Sequence, residues 1–224
     1  MGRSRWAQAR WLVLAPHADD ETLGAGALIV DAAARGRFAG VVFLTDGSGS
    51  HPHDGAAAKN RLVTTRRHEA AVALRRLAGV RQHKPVFLDW PDAQPFNAGD
   101  PAFEHAAQKL AALCVQRSVD AIAVTAAHEP HCDHEAACEL AYATARRASR
   151  PVTIFEYMVW ADRAPGPDFS ALRTRVLPAG IRRGALNAHR SQLTPLLGDG
   201  FRLPEHQLKM NPFDVLYTRR SHGI

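Results

Sequence analysis

A histidine and three carboxylates fall within five residues at His17-Ala18-Asp19-Asp20-Glu21, directly after the apolar run Trp11-Leu12-Val13-Leu14-Ala15. A second knot of the same chemistry, His128-Glu129-Pro130-His131-Cys132-Asp133-His134, follows another strand-like run far along the chain. Imidazole nitrogens and carboxylate oxygens are donors for a divalent metal. His17 and Asp20 are three apart, which turns both side chains to one side of a turn or first helical turn, and His134 would join them from the second knot. Two histidines and one carboxylate leave coordination positions open for water, whereas structural zinc sites are closed by four protein ligands. Asp19 cannot point the same way as Asp20, so it is free to accept a proton from that water. Taken singly, Asp19, Asp20 and Glu21 also suit a helix N-terminus, where the macrodipole favours negative charge, and Asp133 suits an N-cap. Two such knots, each at a strand end, point to one site.

The elements that must position these groups read as an alternation of short apolar runs and longer helical patterns. Strands are expected at 11–15, 40–45, 85–89, 119–125, 152–159 and 213–218, and helices at about 21–36, 58–78, 102–117, 134–148 and 179–192. This rhythm predicts an α/β, Rossmann-like fold, a mostly parallel sheet covered by helices on both faces. Ligands in such folds bind outside the carboxyl ends of the strands, and His17, Asp46, Asp92 and His131 all fall just past expected strand ends. Loops are expected at 46–57, 90–101 and 161–170, the first two as walls or lid of a pocket.

The chain has 224 residues and 46% apolar content, enough for one large core, so residues 1–10 are expected as a basic tail and 11–224 as a single domain. Lys and Arg number 28 against 22 Asp and Glu, a net charge of +6 spread as Arg66-Arg67, Arg75-Arg76, Arg146-Arg147, Arg182-Arg183 and Arg219-Arg220. Without a basic run interleaved with aromatics, this is a solvated-face pattern rather than a nucleic-acid footprint. An anionic substrate stays open. Cys114, Cys132 and Cys138 form no C-x-x-C pair, so a disulfide framework is not expected and a reducing compartment fits. The first apolar run is too short for a signal peptide or a membrane span, which gives a cytoplasmic expectation. Lone histidines such as His51, His53, His83 and His105 carry no functional reading.

On these residues the sequence resembles the PIG-L and LmbE-like zinc-dependent N-acetylglucosaminyl deacetylases. Their P-H-P-D-D-E motif is met by Pro16-His17-Ala18-Asp19-Asp20-Glu21 and their H-P-D-H motif by His131-Cys132-Asp133-His134, each departing only at a proline. Thr45-Asp46-Gly47, Arg66-x-x-Glu69, Pro91-Asp92, Glu156-Tyr157 and His189-Arg190-Ser191-Gln192 extend the likeness over roughly residues 11 to 218. The resemblance implies zinc, with Fe2+ or Co2+ possible, held by His17, Asp20 and His134, and Asp19 as general base. It implies that His131 polarises the amide carbonyl, with Asp133 orienting it, and that Arg66 and Asp92 contact the sugar or an anionic aglycone. His189 and Gln192 are expected at the substrate too, with a packed, hydrogen-bonded helix face as the other reading of their spacing. For Arg66 and Glu69 a surface i,i+3 ion pair is an equally good reading.

The activity this implies is metal-dependent removal of an acetyl group from an N-acetylglucosamine-type glycoside or glycoconjugate, releasing acetate and an amine. The alternatives are a hydrolase of the same core acting on a non-sugar N-acyl amide, and a non-catalytic sugar-binding protein. A non-haem iron facial triad uses the same ligand types but commonly sits on a jelly roll. A dinucleotide fold would need G-x-G-x-x-G, whereas Gly24-Ala25-Gly26 is followed by Ile29 in place of the third glycine.

Overall fold

The strand expected first runs Trp11–Ala15 (β1) and is buried on both faces, which is why it reads as a continuous apolar run rather than an alternation. Trp11, Val13 and Ala15 enter one core while Leu12 and Leu14 enter the other, the period of two expected of a strand between two layers. The computed structural model describes residues 4–79 and 84–220. Six further strands complete the sheet: β2 (Phe38–Thr45), β3 (Val86–Trp90), β4 (Ala121–Thr125), β5 (Thr153–Tyr157), β6 (Phe169–Arg173) and β7 (Val215–Arg219). Their order is β3-β2-β1-β4-β5-β7-β6. The first five are parallel, and β7 lies antiparallel to both β5 and β6.

Helices α1 (Asp20–Ala34) and α2 (Gly55–Ala78) cover one face together with the short α5 (Ile181–Leu186), packing Leu28, Ile29, Leu74 and Leu186 against Val13, Val41 and Phe155. Helices α3 (Pro101–Gln116) and α4 (Cys132–Arg147) cover the other, where Phe103, Leu110 and Leu140 meet Leu14, Leu44 and Val124. The α/β class is therefore as the sequence indicates. The chain leaves β1 toward β2 on one side, and β4 pairs with β1 on the other. This reversal of strand order opens a crevice at the carboxyl ends of β1 and β4.

Three local expectations are corrected. The helix read at 179–192 is two pieces, α5 and α6 (Arg190–Leu193), because Gly184 and Asn187 weaken helical propensity and His189 has non-helical φ −79°, ψ 60°. The loop read at 161–170 ends in β6, an edge strand whose half-exposed residues give a weak hydrophobic signal. The stretch read as a tail is packed from residue 4 onward: Trp6 meets Trp11 and Phe155 edge-on or tilted, and Ala7 and Ala9 are buried. Residues 1–3, His83 and the last four positions of the expected domain lie outside the described residues. No helix among the described residues is long and apolar enough to cross a membrane.

Candidate metal and catalytic centre

At the end of β1 the Pro16 carbonyl accepts both the Thr45 amide and its hydroxyl at 3.1 Å, tying this loop to the end of β2. Asp20 opens α1 and its Oδ2 receives the His17 amide at 2.9 Å, with His17 Nδ1 3.3 Å away. The other ring nitrogen, Nε2, lies 2.9 Å from Asp133 and 3.3 Å from Asp92. Those carboxylates accept only, so the ring proton sits on Nε2 and the Nδ1 lone pair faces Asp20. Between His17 and Asp20, Asp19 adopts φ 140°, ψ −30°, a conformation L-residues avoid and which stores roughly 1–3 kcal/mol. Buried Glu21 holds it there, one oxygen accepting the Asp19 amide at 2.9 Å and the other meeting Thr22 and His189.

At the end of β4 the turn into α4 is regular. His131 is the N-cap, and its Nδ1 accepts the Asp133 amide at 3.2 Å, which leaves the ring proton on Nε2. His134 follows within the first turn. Its Nδ1 is 3.1 Å from Glu129, whose carboxylate also accepts the amides of Val159, Trp160 and Ala161 at 2.8–3.2 Å. Glu129 thus fixes the proton on Nδ1 and turns the Nε2 lone pair toward Asp20, 3.3 Å away. That Nε2 is buried and has no hydrogen-bond partner.

His17, Asp20 and His134 therefore present three donor atoms within 4.8 Å of one another. In a second set at the same spacing, His17, His131 and Asp133, His17 Nε2 is already bonded to Asp133 and His131 Nδ1 to the Asp133 amide. The orphaned Nε2 of His134 and the aligned lone pair of His17 make the first set the one that fits a divalent cation. Charge agrees. Burial opposes ionisation of Asp20, but His134 and His17 hold its carboxyl well below the usual range. Burial likewise opposes protonation of His134, yet Asp20 and Glu129 carry its pKa up to about 9. A divalent cation between these groups would displace the extra imidazole protons and take over their pairing with the carboxylates. Burial, reinforced by the charge of Asp20, pushes Asp19 up to about 7. Burial and the neighbouring His17 charge lower His131.

A cavity of about 370 Å³ opens onto these groups. His17, Asp19, Asp20, His131 and His134 line it together with Arg66, Asp92, Gln192, Trp160 and Phe201. Eight of the ten residues singled out from sequence meet here. Asp133 and His189 do not reach the cavity. Asp133, expected to orient His131, gives its carboxylate to His17 Nε2 and the Ala93 amide, because the first turn of α4 aims it at β1. Its contact with the His131 ring is 3.9 Å. His189 is fully buried behind Glu21.

Arg66 and Glu69 are buried rather than paired on the surface. Arg66 donates to the carbonyls of Gly47 and Ala18 at 3.1 Å, while Glu69 accepts the amide and hydroxyl of Ser191. Gly47 has φ 70°, and a Cβ there would stand 2.9 Å from Arg66 Nη1, which accounts for glycine after Thr45-Asp46. Gly24, the first glycine of the dinucleotide-like pattern, lies within α1 where a Cβ would sit 2.1 Å from the Tyr157 ring. It serves helix–sheet packing. Sequence reasoning passed over Glu129, whose only signal is its place five residues before His134, and over Trp160, which follows β5 as His17 follows β1. Phe201, in an irregular loop, carries no signal.

No curated protein matches the chain. Among solved structures it is similar to N,N'-diacetylchitobiose deacetylase from Pyrococcus horikoshii, with TM-score 0.64 and 19% identity over 86% of this chain and 74% of that one. A zinc-inhibited form of teicoplanin deacetylase Orf2 gives TM-score 0.61 and 21% identity over 96% and 100% of the two chains. The 4-carboxy-2-hydroxymuconate hydratase GalB from Pseudomonas putida KT2440 gives 0.60 and 17% over 95% and 98%. These likenesses establish the fold, and the hydratase shows that the fold alone does not choose the reaction. The profile of the PIG-L family, described as GlcNAc-PI de-N-acetylase, matches residues 12–145, which contain both acid–histidine knots and more than half of the chain. The chain belongs to that family.

Proposed function

We propose that this protein hydrolyses the acetamide of an N-acetylglucosamine-type sugar or glycoconjugate, releasing acetate and a free amine, with zinc held by His17, Asp20 and His134. The observation that carries the reading is the buried, unpartnered Nε2 of His134 facing Asp20 and His17, with Asp19 beside them in the same cavity. When bound, the cation supplies Lewis acidity and makes water more acidic.

The chain's own groups then divide the work. Asp19, held toward the cavity by its strained backbone, takes a proton from the attacking water. His131, whose Nδ1 is occupied by the Asp133 amide, offers its Nε2–H to the oxygen on which negative charge develops. Asp19 returns its proton to the nitrogen as the carbon–nitrogen bond breaks, freeing the sugar amine, and the acetic acid formed loses its own proton to leave as acetate. Gln192 has a buried Oε1 without a partner and lines the cavity, an acceptor suited to a substrate hydroxyl or amide N–H. Asp92, fixed by the Gly49 amide at 2.9 Å, accepts a second hydroxyl.

The test is acetate and amine release from a panel of N-acetylglucosamine conjugates and simple N-acyl amides, with protein loaded separately with zinc, iron and cobalt, beside Asp19→Ala. Release from the sugars that disappears in the variant, with metal content retained, is the expected result. Release from simple amides alone would replace the sugar by a general acyl substrate. No release from any member, or release that survives in Asp19→Ala, would overturn the assignment.

A further inference from the structure

We infer that the part of the cavity bounded by Trp160 and Phe201 is a specificity site for a flat apolar aglycone, an aryl group above all; this rests on the deacetylase reading above and names the substrate class it selects. Trp160 and Phe201 stand 6.1 Å apart between ring centroids at 78°, so together they form an apolar corner. Phe201 is 40% exposed, and of the four most exposed large hydrophobic side chains among the described residues it is the one that lines the cavity. An aromatic left half in water at the mouth of a binding pocket leaves apolar area for a ligand to cover.

Both rings are held in place by backbone. The Trp160 amide donates to Glu129, the same carboxylate that orients His134, so this wall keeps a fixed offset from the metal-ligand set. Phe201 donates its amide to the Ser50 carbonyl at 2.7 Å. The preceding Gly200 lies flat against buried His51, where a Cβ would be 2.4 Å from the ring. Ser50 itself lines the cavity, so two loops from distant parts of the chain lock the corner.

Charge argues against the anionic aglycone allowed by the sequence. Arg66 is the only Lys or Arg lining the cavity among the described residues, and both its terminal nitrogens are engaged by backbone carbonyls. Asp19, Asp20 and Asp92 face the same space and repel a second negative group. What remains for the group beyond the sugar is the apolar corner, and aromatic rings favour offset or edge-to-face partners of this geometry.

The experiment measures the affinity of phenyl and methyl β-D-glucosaminide by calorimetry on the zinc-loaded protein; these are deacetylated sugars, so binding is read without turnover. The expected result is phenyl binding about tenfold tighter than methyl, a ratio that falls toward one in Phe201→Ala and returns in Phe201→Tyr. Equal affinities, binding of neither glycoside, or a ratio that survives in Phe201→Ala would overturn the inference. Acetate release from the two N-acetylated glycosides is followed in parallel. Release without an affinity gap sinks the aryl site and leaves the deacetylase reading standing, whereas the gap without release does the reverse.

Discussion

The ends of β1 and β4 meet at the same cavity, yet they present their side chains by opposite means. At β4 the chain enters α4 through an ordinary N-cap, with His131 in extended conformation and His134 within the first turn. At β1 the entry into α1 is distorted: Asp19 sits at φ 140° and its amide is turned onto Glu21. The difference follows from how many groups each end must deliver. A regular first turn aims the N-cap and third residues at one place, which is enough for His131 and His134. Placing His17, Asp19 and Asp20 around one point needs adjacent carboxylates to face the same cavity from different angles, and regular backbone does not allow it. Strain is stored at Asp19, the proposed proton carrier, and not at the end that presents His131 and His134.

The sharpest way to break this comparison is Asp19→Gly, which removes the carboxylate and the strain together. Turnover should fall roughly 10²–10⁴-fold, as for loss of a general base. Stability to urea should meanwhile rise by about 1 kcal/mol, since glycine adopts positive φ freely. A variant that is inactive and less stable would show that the backbone at this end is not strained. At the other end, Glu129→Gln should lower metal affinity about 10–100-fold by loosening the His134 tautomer, measured by competition with a chelator. Unchanged affinity there would mean that α4 positions His134 without help.

Two smaller effects refine the contrast. Glu21→Gln weakens the acceptor of the Asp19 amide and should reduce stability by about 1.5–3 kcal/mol in denaturant unfolding, with metal content preserved. Cys132→Pro should do the opposite at the relaxed end. Cys132 is the first residue of α4, where proline's fixed φ suits the helix and a missing N–H is harmless, so a gain of about 0.4–1 kcal/mol is expected in thermal unfolding. Destabilisation by proline would place hidden strain at β4 as well.

Much of the centre was legible because its chemistry is concentrated in two short stretches, each adjoining a strand that reads plainly as apolar. His17, Asp19, Asp20, His131 and His134 come together as their types and positions suggest. Their partners were less legible, since these depend on contacts across the sheet. Asp133 reaches His17 from 116 residues away, and Glu129 gains its meaning from amides beyond β5. Residue type says that a carboxylate can steady an imidazole, and only packing says which one. The same holds for α5 and α6, whose break at His189 places that ring behind Glu21, and for β6, which among the described residues pairs with β7 at the edge of the sheet.

The cavity draws on two stretches of chain, one inside and one beyond the residues matched by the family profile. The groups proposed to hold a cation and move protons lie within residues 12–145, the part matched by the family profile. Trp160, Gln192 and Phe201, which close the walls, come after it. Substitutions in the last third of the protein can therefore retune what the cavity admits while leaving its reaction intact. A transplant of residues from about 158 onward between relatives is a natural unit for altering selectivity, because it carries β7 and so keeps the edge of β5 paired. On the proposed reaction, the molecule is modular: one stretch of chain would carry the chemistry and a later one would shape the wall that meets the rest of the substrate.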